Sequence, residues 1–491
     1  MLKKIIFGLV LFAALPMMAQ SAEEFEKFRQ QQNTQFNRYK DNQQAQFDAF
    51  RRRVNEEYAE FMRRKWQEHT ELEAITPIKE QNVEPVQFEP TEQPEEPVQI
   101  NSSESFFFIP DPQPTPEPIA PVKPKPQAFK RVTIAYFGTL ITIGFPNDDN
   151  LKIRTLDEDA IADAWKQLAQ ERYDITVQTA LDARKNNQLC DWAYMNVLQQ
   201  ATEKQYGKTN EATLMQAFLM TQSGYRVRLG MTDTKLYMLV ASLYDIFNLR
   251  YYSLDGTKYY IVNGDKGVRM YITEAKYGKE KSLSLQMTQL PQLNSEPTPK
   301  RTLTSKRGVT STVSVNKNLI DFFNTYPQAC FNGDQTTRWA AYANTPLEES
   351  IKNSLYPPLK ATIEGMSERD AVDMLLNWVQ TAFEYGYDDQ IWGEDRAFFA
   401  QETLFYPYSD CEDRSILFSR LVRDLVGLDV VLLYYPGHLA TAVGFNESVK
   451  GDWLRFKDRN YVVCDPTYIN AGVGRTMPGM NNQQAQVIAL Q

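Results

Sequence analysis

Aromatic positions carry the clearest periodicity in the chain. Between residues 23 and 66, Phe25 and Phe28, Phe36 and Tyr39, Phe47 and Phe50, and Tyr58 and Phe61 form four pairs spaced eleven residues apart, with Gln, Asn, Arg and Glu between them. Eleven residues at about 100° each make three turns plus about 20°, so all eight rings fall on one stripe of a nearly continuous helix. The pattern predicts an amphipathic helix over 21–74. Its stripe needs cover, and two covers fit equally. Copies of the helix can associate in a coiled coil, giving a homo-oligomer through residues 23–66, or the stripe packs on the chain's own globular part. A helix lying on a membrane, with Arg51, Arg52, Arg53, Arg63 and Arg64 opposite the rings, is the weakest reading, because ten basic residues face eight acidic ones in this stretch.

From Pro77 to Pro126 the chain holds 13 of its 26 prolines, nine acidic residues and three basic ones. Such a segment buries too little apolar surface to fold, which predicts an extended Pro/Glu-rich linker over 75–128. Phe106, Phe107, Phe108 and Ile109 interrupt it and read as a chance apolar patch. Short apolar strands at 132–137 and 140–144, helical stretches and further strands predict an α+β domain over 129–288. A second polar break gives a linker over 289–308. The last segment, 309–491, repeats the order of helices followed by strands.

At 491 residues the chain exceeds one ordinary core, in keeping with two folded units. A net charge of −9 argues against a nucleic-acid partner. Lys3 and Lys4, an apolar run from Ile5 to Leu15, then Pro16 and Ala19 predict a secretory signal over 1–19, and with it an exported, periplasmic or envelope-associated protein. No other stretch reaches the roughly 18 apolar residues of a membrane helix, so membrane contact is not expected. Four cysteines, at 190, 330, 411 and 464, show no paired spacing. A disulfide scaffold is not expected, although one bridge between Cys190 and Cys330 stays open.

Thiol chemistry needs a thiolate, a base to generate it, and a group that fixes the base's orientation and tautomer. Cys411, in Tyr408-Ser409-Asp410-Cys411-Glu412-Asp413, directly precedes a helix over 414–425 that stops at Gly427. The positive end of that helix's dipole favours the thiolate. Of the two histidines, His69 falls in the amino-terminal helical region, which leaves His438 as the base. His438 follows a strand at 429–435 and the turn Pro436-Gly437, and opens a second strand at 439–445. After a polar loop over 446–460, the strand at 461–464 delivers Asp465. On adjacent antiparallel strands an imidazole and a carboxylate come within hydrogen-bond reach. Zinc is the competing use of Cys411, His438, Cys464 and Asp465. Cys464 and Asp465 are strand neighbours that point to opposite faces, so neither metal nor cofactor is expected and Cys464 reads as core.

These motifs, Asp410 to Arg414 before a helix, Pro436 to Phe445 on a strand and Tyr461 to Tyr468 on the next, resemble the Cys, His and Asp motifs of the transglutaminase-like superfamily. The resemblance covers residues 371–468. It implies a papain-type α+β domain with Cys411 as nucleophile, His438 as general base and acid, and Asp465 as the orienting carboxylate. It also implies attack on an amide bond through an acyl-thioester; for an exported chain with a spacer the expected substrate is a peptide or protein in the periplasm or envelope, with hydrolysis expected over transamidation because water is always present. The family includes non-catalytic relatives. The alternative is therefore an envelope scaffold or peptide-binding protein that oligomerises through its amino-terminal helix. An oxyanion needs a donor beside the nucleophile's own N–H, and Gln401, Tyr406 and Tyr408 are the candidates.

With Gly224 laid on Gly427, residues 210–240 match 413–443 without gaps, and 258–263 fall on 460–465 with the offset changing from 203 to 202. The helix expected at 191–206 likewise resembles 371–387. In this register Lys208 stands for Cys411, Lys235 for His438 and Asn263 for Asp465. Residues 129–288 then read as a degenerate second copy, without nucleophile or base, that binds or packs.

Overall fold

The computed structural model describes residues 22–79, 83–90, 96–100, 106–261, 264, 269–393 and 395–491. The signal expected over 1–19 and Asn263 lie outside them. The chain is a mixed α+β protein built around two six-stranded sheets. Buried side chains from Tyr58 to Ile488 form one contiguous core that joins both halves. A strand pair, Tyr244–Ile246 with Ala329–Phe331, also crosses between them.

The two sheets follow one path. The first runs Gln67–Thr70, Arg269–Ile272, Val227–Met231, Leu236–Ala241, Thr257–Tyr260, Tyr251–Leu254; the second runs Phe106–Phe107, Gln486–Ala489, Asp429–Tyr435, His438–Gly444, Arg459–Cys464, Trp453–Phe456. Registers agree as well. Val227 pairs with Val240 as Val430 pairs with Val443. Val240 pairs with Tyr260 as Val443 pairs with Val462. Tyr251 pairs with Tyr260 as Trp453 pairs with Val462. Only the outermost strand differs in direction, antiparallel in the first sheet and parallel in the second. Each sheet follows a helix, Asn210–Gln222 or Cys411–Leu425, that is followed by a glycine with positive φ, Gly224 or Gly427. A left-handed residue there lets the chain leave the helix without a Cβ clash.

Three expectations change. The amino-terminal helix spans Ala22–Met62 instead of reaching residue 74. Trp66 is buried with its indole N–H on the Met62 carbonyl at 2.8 Å, and Gln67–Thr70 then pairs with Arg269–Ile272, so His69 sits on a strand. The last ring pair docks: Tyr58 stacks on Tyr277 and tilts against Trp165. Phe25, Phe28, Phe36, Tyr39, Phe47 and Phe50 stay between 38% and 63% exposed. Second, the described parts of 75–128 lie on the globular body: Phe106 and Phe107 complete a sheet edge, and Ile100 and Ile109 are buried. An extended segment satisfies the free N–H and C=O groups of an edge without needing a core of its own. Third, 289–308 is not a free linker, because Arg301–Thr304 forms a hairpin with Thr310–Val313. Cross-strand threonine pairs, Thr302 with Thr312 and Thr304 with Thr310, suit the pleated surface that β-branched residues favour.

All four cysteines are free. No helix among the described residues is long and apolar enough to cross a membrane.

Candidate active site

Cys411 is the first residue of its helix. Asp410 caps that helix by accepting the Asp413 N–H, while Asp413 accepts the Asp410 N–H with one oxygen and the Phe398 N–H, at 2.8 Å, with the other. This reciprocal cap fixes the turn that presents the thiol. As the first helical residue, Cys411 also has a backbone N–H that no intrahelical carbonyl accepts. Ser415, one turn on, donates to the Leu439 carbonyl at 2.8 Å and ties the helix to the strand that begins at His438.

His438 is 2% exposed, and its Nε2 lies 2.9 Å from Asp465 Oδ2. The Thr441–Cys464 pairing, continued, sets Asp465 opposite Ala440, so the carboxylate reaches the imidazole diagonally across one face. Asp465 Oδ1 accepts the N–H groups of Thr467 and Tyr468, at 2.8 and 3.2 Å. With the carboxylate on Nε2, that nitrogen carries the proton and Nδ1 is left as the basic atom. Nδ1 is buried and has no hydrogen-bond partner among the described residues.

A residue that periodicity does not mark holds the loop after Asp465. Gln380 Nε2 donates to the carbonyls of Asp465, Tyr468 and Ala471 at 2.8–3.0 Å, and its Oε1 accepts the Asn470 N–H. Arg414 in turn donates to the carbonyls of Gln380 and Phe383 and to Ser409 Oγ. The helix that begins at Cys411 and the loop that carries Asp465 are thereby tied to one another.

Cys411, Glu412, His438 and Leu439 open into one cavity of about 480 Å³. Its electrostatics reverse the expectation for the thiol. Burial, then the charges of Glu412 and Asp410, push the Cys411 thiol well above its ordinary range, against a hydrogen bond from the Leu439 N–H. The thiol also donates to Glu412 Oε2 at 3.2 Å. Helix-dipole attraction for a thiolate is smaller than the cost of forming it unsolvated beside two carboxylates.

None of the three expected oxyanion donors lines this cavity. Gln401 is buried with its Oε1 on the Glu348 N–H, Tyr406 donates to Asn324 at 2.9 Å, and Tyr408 is exposed. Trp339 does line it, and its buried Nε1 has no acceptor among the described residues. The zinc set considered from sequence does not gather either: Cys464 is wholly buried in the core, away from Asp465's face. Among the described residues, the groups close enough to share a cation are Asp388 with Asp395 and Glu412, Asp388 with Asp410 and Asp413, and Asp410 with Cys411 and Glu412. Sequence reading missed Trp339 and Asp388; the acidic run Asp388-Asp389 and Glu394-Asp395 ahead of the Cys411 motif was the available signal for the latter.

The first sheet has its own cavity, about 670 Å³, lined by Lys208 and Lys235. There the helix starts at Asn210 under a Thr209 cap, two residues later than the register with Cys411 requires, so Lys208 precedes the helix. Comparison with models of known families, with curated proteins and with solved structures gives no match.

Proposed function

We propose that residues 309–491 form a transglutaminase-like, papain-type cysteine enzyme that cleaves amide bonds of peptides or proteins. The observation that carries this is the buried His438, bound to Asp465 through Nε2, with an unpartnered Nδ1 in the cavity that holds Cys411. Nδ1 takes the thiol proton as Sγ bonds to the amide carbonyl carbon. The C–N bond then breaks, and the amine leaves with that proton. Water gives a proton to Nδ1 and its oxygen to the acyl carbon; the C–S bond breaks, the acid departs and Sγ regains its proton. An amine in place of water would give transamidation, the lesser reading. The Cys411 N–H and the Trp339 indole N–H are the donors we assign to the oxyanion.

The apolar run after Lys3 and Lys4 supports export, and with it a substrate in the periplasm or envelope. Residues 129–288 are, in this reading, a degenerate second copy. Supporting it are the shared strand path, three shared registers at the offsets read from sequence, and a cavity at the corresponding helix start.

The test is turnover of a peptide-amide library by the purified chain, with Cys411→Ser and His438→Ala. Loss of release in both variants, with the circular dichroism and oligomer state of the parent, is expected. Release that survives Cys411→Ser would leave the scaffold reading, which the exposed rings of the Ala22–Met62 helix favour.

A further inference from the structure

The site holds more carboxylates than amide cleavage uses. Asp388, Asp395, Asp410 and Glu412 all line the cavity that Cys411 and His438 share. Carboxylate oxygens of Asp388, Asp395 and Glu412 lie within 4.8 Å of one another, and so do those of Asp410 and Glu412 with the Cys411 sulfur. Among the described residues two cationic side chains line the cavity: Lys79 is exposed, and Arg396 is taken up by Glu402 and Asn324. Among the described residues, Asp388, Asp410 and Glu412 form no ion pair. Buried negative charge without a counter-charge is costly, and protonation or a cationic ligand removes the cost. Burial and then Glu412 push the Asp388 carboxyl up to about 8, which is the protonation answer in the empty cavity.

A second mark of a missing ligand is His438 itself. The residue is 2% exposed, it lines the same cavity, and its Nδ1 has no partner among the described residues. Tyr385, Tyr387 and Tyr434 supply aromatic walls, against which the stem of a long cationic side chain packs and whose faces attract its head.

We infer that the cavity selects amide substrates bearing an ammonium or guanidinium group beside the scissile bond, held between Asp388 and Glu412. The inference rests on the amide-cleaving reading and names its substrate class. A docked cation offsets the carboxylates that keep the Cys411 proton in place, so the nucleophile is released when the matching side chain is bound. A neutral peptide would meet an idle thiol.

The test needs no known substrate. Methanethiosulfonate reagents modify a thiol when the thiolate attacks their sulfur and expels a sulfinate, leaving a mixed disulfide. The full chain would be treated with the 2-aminoethyl (cationic), methyl (neutral) and 2-sulfonatoethyl (anionic) reagents, and Cys411 modification followed by peptide mass mapping. We expect the cationic reagent to outpace the neutral one by about tenfold and the anionic one to lag. In Asp388→Asn this preference falls severalfold, and Asp395→Asn gives the same reading if that variant does not fold. Equal cationic and neutral rates in the parent chain overturn the inference. If the neutral rate still falls in His438→Ala, the failure is of the cation site alone and the Cys411–His438 pair stands. A preference unchanged in both aspartate variants also overturns it. So does a preference abolished by millimolar calcium or magnesium chloride together with saturable binding of that ion, which would make the cluster a divalent-metal site.

Discussion

At the scale of single residues, the proposed chemistry turns on the thiol and its neighbours. Glu412 is the first-ranked charge holding the Cys411 proton, after burial, so Glu412→Gln lowers the thiol's pKa and raises the thiolate fraction at pH 8. Alkylation of Cys411 at that pH should speed up severalfold in the variant, read by mass mapping; an unchanged rate would mean that burial and Asp410 hold the proton without Glu412. Gln380 acts through another residue. Gln380→Ala frees the Asp465 loop from three carbonyl anchors, and kcat should fall about tenfold with KM little changed, as expected when only the orientation of the base is lost. Gln380→Glu, which retains one carboxylate acceptor for the Asn470 N–H, should recover little. That His438 meets Asp465 and shares a cavity with Cys411 was legible because each of the three falls next to the start or end of a strongly patterned helix or strand. Trp339 was not, because a helix remote in sequence brings it to the cavity and no local pattern records that approach; Asp388 left the acidic run over 388–395 as its one signal.

Among elements, the Ala22–Met62 helix divides into two regimes that the aromatic period alone did not separate. Tyr58 is buried between Trp165 and Tyr277, so Tyr58→Ala should cost about 3 kcal/mol, measured by denaturant unfolding. Phe36 and Tyr39 are exposed. The double change Phe36→Gln with Tyr39→Gln should leave the unfolding midpoint in place while lowering the molar mass by light scattering if the stripe joins copies of the chain. An unaltered mass would remove self-association through this helix. The eleven-residue period identified the helix, yet its end at Met62 depends on Trp66 and on a distant strand partner, from Gln67 with Ile272, 205 residues apart, to Thr70 with Arg269, 199 apart. The same holds for the proline-rich stretch. Its composition reads as a free spacer, and only the open edge of a distant sheet gives Phe106 and Phe107 something to pair with. By contrast, the shared register of the central hairpin in each sheet was readable, since the gap-free match of 210–240 to 413–443 carries register with it.

For the whole molecule, a core shared by both halves and several buried acids make stability depend on pH in a set direction. Burial pushes Asp174 up to about 6, Glu402 up to about 7 and Asp388 up to about 8. The folded chain therefore keeps protons that the unfolded chain releases above about pH 4, so stability falls as pH rises from there through 8. The urea midpoint should be lower at pH 8 than at pH 5; a higher one would mean that these acids are ionised in the folded chain. The central claim is that Cys411 and His438 act as one nucleophile–base pair. Iodoacetamide alkylation of the full chain, located by peptide mapping in the parent and in His438→Ala across about pH 5 to 9, tests it most directly. The Cys411 rate should fall at least about tenfold in the variant, with Cys190 and Cys330 unchanged as internal references. A Cys411 rate that is the same with and without the imidazole at every pH would contradict it.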